Sequence, residues 1–338
     1  MIDNELEVIK QQLGNDLEKL KESTVLVTGA LGMLASYTID FFLFLNRNYD
    51  YNINMILLAR SSERLKERFP SDLYKAEFIV GDISNKLDYN GNIDYILHLA
   101  GNSSPFHIKN NPIDIIKANV VGSLNIVDVA KENNVKKVIF SSTREVYGEV
   151  DTGTKFITED DFGTFNPLDA RSCYPESKRM AENVFKSASI QYGLDFCVVR
   201  IAHSYGPGMI LSDGRVMADF VGNAVNGEDI ELLSDGEALR SFCYVADAVL
   251  GMLFVLLYGK SEEAYNIANE SEEIKIYELA KKIAKIAGGI KVTRVLPKDA
   301  SVYCAYARVG LSTEKLQKLG WKLHFDLDYG LNKTLSQL

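Results

Sequence analysis

The chain has 338 residues, 46% hydrophobic and 25% charged, with a formal net charge of −9 and an isoelectric point near 5.2. These proportions belong to a globular protein of roughly two domains and exclude global disorder. The acidic balance offers no general attraction to nucleic acid or to a membrane surface, although a few local arginines can still hold a small anion.

The four cysteines, Cys173, Cys197, Cys243 and Cys304, contain no CxxC pair, so no metal site is expected. The N-terminus is charged throughout and shows no secretory pattern. The longest apolar run, Ala248 to Tyr258, is about half a membrane span. A cytoplasmic chain with reduced thiols is the expectation.

In chain order, Ile2, Leu6, Ile9, Leu13, Leu17 and Leu20 recur at spacings of three and four. They predict one helix over residues 1–22 packed on the body of the protein, with a dimer contact as the alternative. Short β-branched or apolar runs follow at 24–28, 53–59, 76–80, 93–99 and 136–142. Helical patterns lie between them at 33–46, 62–69 and 113–133, and a helix at 175–192 precedes a strand at 195–201. Strands that look buried, alternating with helices, predict an α/β fold with a doubly wound parallel sheet. After about residue 203 glycine and polar residues become frequent, which places a smaller C-terminal α/β substrate domain there.

The first strand runs into Thr28-Gly29-Ala30-Leu31-Gly32-Met33-Leu34-Ala35. Two glycines allow a tight turn and close approach of a ligand, and the free N–H groups of the helix start suit a pyrophosphate. This is the turn of a Rossmann-type domain, expected over 23–200 with 241–258 returning to it. The second strand ends at Arg60, where NAD sites offer an acid and an arginine accepts a 2′-phosphate, so the choice between NAD and NADP stays open. Tyr174 and Lys178 are spaced by four, on one helix face. A neighbouring ammonium favours the phenolate, so the tyrosine can exchange a proton with a sugar hydroxyl.

Eight motifs together resemble the extended short-chain dehydrogenase/reductase family that modifies nucleotide sugars: TGALGMLA (28–35), GDI (81–83), HLAG (98–101), NVVGSLN (119–125), SSTREVYG (141–148), YPESK (174–178), RIAHSYGPG (200–208) and RSFCYVADA (240–248). Within it, the segments around Asn102–Ile113, Arg171–Tyr174 and Asp213–Val216 are most similar to UDP-glucuronate decarboxylases.

The resemblance implies a transient 4-keto sugar made by hydride transfer to bound NAD or NADP. It implies Tyr174 as proton acceptor, Lys178 lowering its pKa, Thr143 orienting the oxygen, and Glu145 as the essential carboxylate or base. It places the cofactor against Gly29, Leu31, Gly32, Met33, Arg60, Asp82, Ile83, Leu99, Ala100, Gly101, Asn119 and Ser141. It places the nucleotide-diphosphate sugar against Ser103, Arg144, His203, Arg215, Val216 and Arg240, largely on the 201–338 half. It also implies a homodimer through the helices at 113–133 and 175–192.

Three positions depart from the decarboxylase pattern. Arg144 stands where decarboxylases carry serine and 4,6-dehydratases aspartate. It cannot act as the dehydratase acid and would stabilise a substrate carboxylate, unless it turns toward Glu149 or Asp151. His203 stands in place of an asparagine, either as a donor or as a packed residue, and Arg60 replaces an acid. Alternatives to decarboxylation are 4-epimerisation, 4,6-dehydration, net reduction with NADPH, and a non-catalytic binding protein on the same fold.

Overall fold

Seven short apolar strands make the central sheet: β1 (Thr24–Thr28), β2 (Asn54–Ala59), β3 (Ala76–Val80), β4 (Tyr95–His98), β5 (Lys137–Thr143), β6 (Phe196–Ile201) and β7 (Glu263–Ile267). The computed structural model describes residues 2–70, 76–87, 89, 91–150, 156–295 and 310–338, so Asp151 and Cys304 lie outside the described residues. Every neighbouring pair in the sheet is parallel, and the order is β3-β2-β1-β4-β5-β6-β7. The chain starts at β1, moves outward to β3, and returns to place β4 on the other side of β1. Ligands of such sheets bind outside the carboxyl ends of the strands at this switch point.

The helices are α1 (Ile2–Leu13), α2 (Met33–Tyr49), α3 (Ser62–Arg68), α4 (Pro105–Asn110), α5 (Pro112–Ile116), α6 (Gly122–Asn133), α7 (Cys173–Tyr192), α8 (Val216–Asn226), α9 (Val245–Tyr258) and α10 (Ile276–Ile286), with others after Thr313 and Asp326. Alternate strand residues feed two cores. Val25, Val27, Leu57, Ile139 and Val199 face α1, α2 and α9. Leu26, Ile56, Ile96, Val138 and Phe140 face α6 and α7. Among the described residues no helix is long and apolar enough to cross a membrane.

Two expected helices are interrupted. The N-terminal helix breaks at Gly14, whose φ of +60° only glycine adopts cheaply, and continues as a 3-10 helix over Gly14–Leu20. Its stripe from Leu6 to Leu20 is nevertheless buried against the body. Glu5 helps fix it there, accepting hydrogen bonds from the hydroxyls of Tyr37 (2.5 Å), Tyr329 (2.8 Å) and Tyr244 (3.2 Å). The helix expected over 113–133 contains a π-helical turn, Lys117–Val121, between α5 and α6. That turn carries Asn119, which is buried.

The buried helix α9 packs on α1, α2 and the sheet, and β7 is the seventh strand of that sheet. Helix α9 sits there because its side chains are apolar nearly all round.

Candidate active site

At the end of β1 the fully buried Thr28 hydroxyl accepts the N–H groups of Leu99 (3.1 Å) and Ala100 (3.0 Å) and lies 2.9 Å from His98 Nδ1. Burial, aided by the Lys178 charge, drives the imidazole down to about 3, so it is neutral. Thr28 therefore donates to Nδ1. This clamp brings the β1 and β4 turns together. Gly29 has φ +69°, and a Cβ there would lie 2.8 Å from the Ala100 Cα. Only glycine fits such an approach. The α2 start at Met33 follows Gly32, which supplies no side-chain cap, so helix N–H groups face the crevice. Leu31 beside them is half-buried.

The residues expected at the adenine lie at the ends of β2 and β3. Asp82 accepts the Ser84 N–H (2.9 Å) and hydroxyl (2.7 Å). These bonds hold its carboxyl below the usual range, and the charge of Arg60 adds to them. Arg60 is exposed and Ile83 is buried under Gly122.

The tyrosine–lysine pair sits on α7, which begins at Cys173. Burial pushes the Tyr174 phenol up to about 12, and the Glu145 charge pushes the same way; the Thr143 hydroxyl, Arg215 and the Ser103 hydroxyl oppose them. The resemblance gave the lowering to Lys178. Lys178 Nζ donates to the Ser141 carbonyl at 2.7 Å. Burial draws Lys178 down to about 8, against the pull of Glu182.

On the sugar side, the Thr143 hydroxyl accepts the Glu145 N–H at 3.2 Å and starts a 3-10 turn over Arg144–Tyr147. Arg144, the first residue of that turn, is half-buried. Glu145 Oε1 pairs with Arg171 Nη2 at 2.7 Å. Ser104 donates to the Asp213 carbonyl at 2.9 Å, joining the loop after β4 to the start of α8. Asp213 in turn binds Arg215 through Nε at 2.7 Å, and exposed Val216 opens α8. His203 packs its ring 5.9 Å from Phe242. Arg240 is half-buried on a strand Leu239–Ser241 paired with Glu273–Lys275. Its sequence neighbour Glu237 pairs with Lys275 (2.8 Å) and Arg294 (3.5 Å).

A dinucleotide fits these residues. The buried Asn119 Oδ1 has no hydrogen-bond partner among the described residues. Gly101 leaves a cradle in which a Cβ would stand 3.2 Å from Lys178 Nζ and 3.3 Å from that oxygen. An unpaired acceptor beside a lysine ammonium suits ribose hydroxyls.

Sequence reading missed two partners of this site. Arg171 was noted only as part of a run, and its grip on Glu145 spans 26 residues of chain. Glu182 was not singled out, although it continues the spacing of Tyr174 and Lys178 by four more residues.

The chain and its fold are similar to known proteins. The chain is 33% identical over 309 residues to a protein named UDP-glucuronic acid decarboxylase 6 from Arabidopsis thaliana, covering 91% of this chain and 86% of that one. A structure of UDP-glucose 4-epimerase from Thermotoga maritima with UDP-glucose superposes with a TM-score of 0.77 at 25% identity, covering 93% of this chain and 98% of that one. An epimerase from Methanothermobacter thermautotrophicus matches the fold with a TM-score of 0.82 at 21% identity, covering 96% of this chain and 95% of that one. Residues 25–268 match the model of one family, and on that match the chain belongs to the NAD dependent epimerase/dehydratase family.

Proposed function

We propose that this enzyme decarboxylates UDP-glucuronate through a transient 4-keto sugar. One observation carries the reading: Thr143, Ser103 and Glu145 converge on the buried phenol of Tyr174, with Lys178 one helical turn further on. The choice of a glucuronate substrate is supported by the decarboxylase-like segments and by the relative from Arabidopsis thaliana.

Tyr174 takes the proton of the sugar 4-hydroxyl as hydride leaves C4. Bound NAD supplies the hydride acceptor, a positive charge that favours the phenolate, and later the returning hydride. Lys178 donates to Ser141 and keeps further N–H groups for ribose hydroxyls. With a ketone at C4, the electrons of the bond from C5 to the carboxylate flow toward the C4 oxygen as carbon dioxide leaves. The protonated Tyr174 and Thr143 then donate to that oxyanion, where its charge develops. Proton uptake at C5 restores the ketone, and hydride return gives a UDP-pentose. Arg171 pairs with Glu145 near the phenol, and Arg215 and Arg240 are the diphosphate ligands. NADP remains the alternative cofactor because Arg60 stands at the ribose end of β2.

A second reading, 4-epimerisation, is favoured by Arg144 at the start of the turn after Thr143. A guanidinium that stabilises the ground-state carboxylate opposes its loss. Incubation with UDP-glucuronate and mass spectrometry separates the two. UDP-xylose or a UDP-4-keto-pentose supports decarboxylation, and an unchanged mass with a new C4 stereoisomer overturns it. A stoichiometric absorbance change at the nicotinamide band identifies a net reductase instead.

The reading includes a homodimer and a cytoplasmic location. Ile113, Leu124, Met180 and Ile190 are exposed on α5, α6 and α7, an apolar face that a second copy would cover. The thiols of Cys173, Cys197 and Cys243 are free, as a reducing compartment keeps them. Light scattering on the purified protein tests the dimer, which a monomeric mass overturns.

A further inference from the structure

The face of α7 that carries Tyr174 and Lys178 also carries Glu182, at the same spacing of four. Each of the three meets one of three consecutive residues at the end of β5. The Thr143 hydroxyl lies against the Tyr174 phenol. The Ser141 carbonyl takes Lys178 Nζ at 2.7 Å. The Ser142 hydroxyl donates to Glu182 Oε1 at 2.5 Å. Glu182 then reaches the next strand: Arg200 on β6 binds it through Nε (3.1 Å) and Nη2 (2.7 Å), and Arg200 Nη1 donates to the Tyr147 hydroxyl at 3.0 Å. This carboxylate and guanidinium are both largely buried. A bidentate pair in that setting fixes both partners in one geometry, and removing one partner leaves a costly lone charge.

We propose that Glu182 is a positioning residue for the Tyr174–Lys178 pair, locking α7 to the ends of β5 and β6 and holding Lys178 as an ammonium. The inference rests on the reading of Tyr174 and Lys178 as the reacting pair.

The titratable and charged groups around Lys178 bear this out. Tyr174 and Glu182 lie on its own helix, Glu145 and Tyr147 on the turn after β5, Arg200 on β6 and His98 on β4. His98 is neutral, and Glu182 is the group whose charge opposes the effect of burial on Lys178. Arg200 pairs with Glu182 and offsets part of that influence.

The test follows the lysine directly. Carbon-13 NMR of lysine-labelled protein, with Lys178 assigned through Lys178→Met, gives its titration midpoint without any turnover. Glu182→Gln keeps the shape of the side chain and removes its charge, so the Lys178 midpoint falls by about one pH unit. The alkaline limb of kcat moves down with it. Glu182→Asp keeps the charge and leaves the midpoint close to wild type.

Where the single variant does not fold, Glu182→Gln with Arg200→Gln strands no charge. It shows the same downward direction with smaller amplitude. A folded single or double variant that titrates like wild type overturns the proposal, and a purely structural role would lower thermal stability without moving the midpoint. Because the NMR readout needs no substrate, an unmoved midpoint is distinct from a failure of the decarboxylase reading, which shows only in the product assay.

Discussion

Replacing Thr28 with valine is a sharp test of how the cofactor crevice is built. Valine preserves the volume and removes the hydroxyl. Two buried groups then lose their partner, the N–H of Ala100 and Nδ1 of His98, while the N–H of Leu99 keeps the Leu97 carbonyl at 3.1 Å. Each stranded buried group costs at least about 1 kcal/mol, so the loss is about 2 kcal/mol or more. Domains of this kind are stable by about 5–15 kcal/mol, so the deficit is a large share. Thr28→Ser keeps the hydroxyl and loses one buried methyl, which costs about 1 kcal/mol. The isosteric change is thus expected to be the more damaging one. Equilibrium urea unfolding at neutral pH measures both, and NADH fluorescence titration reports the crevice, with Thr28→Val binding more weakly. A Thr28→Val protein as stable as Thr28→Ser would refute the argument, because it would mean that the hydroxyl does not hold the two turns together.

Three other outcomes are expected. Tyr174→Phe lowers turnover by about 10²–10⁴ while NADH binding persists, measured by product formation and fluorescence titration on the same sample. Gly29→Ala, forced to φ +69° and 2.8 Å from the Ala100 Cα, weakens NADH binding about tenfold or more, as read by the same titration. His98 has a folded pKa of about 3, below its unfolded value near 6.5, so the unfolded chain binds the extra proton. Its contribution is complete above about pH 6.5 and drains on acidification at up to about 1.4 kcal/mol per unit, and His98→Gln flattens that part of the urea-midpoint profile.

The reading of individual segments went far. The runs at 24–28 and 76–80 became β1 and β3 with the expected limits, and the other sheet runs shifted by one or two residues at their ends. Except at the edge strand β3, their burial on both faces made them continuous apolar stretches, which is a local signal. The turn at Gly29 and the pair Tyr174–Lys178 are also local, since a glycine-rich turn and a helix face are written within eight residues. The N-terminal helix was harder: its apolar stripe runs straight through Gly14, so periodicity shows a continuous face where the backbone changes from α to 3-10. The π turn at Asn119 is likewise invisible to a pattern that tolerates one extra residue per turn.

By itself, the sequence determined the α/β alternation, the phosphate turn and the spacing of the reacting side chains. Only the tertiary structure decided who their neighbours are. Thr28 meets His98 across 70 residues, Glu145 meets Arg171 across 26, and Ser142 meets Glu182 across 40. Those meetings depend on which strand lies beside which and how far each helix slides along its strand. Strand order and helix slide are set by the packing of two whole cores, so short-range periodicity carries no record of them. The same packing decides whether a buried phenol or ammonium keeps its ordinary pKa, because burial and partners are properties of the assembled site.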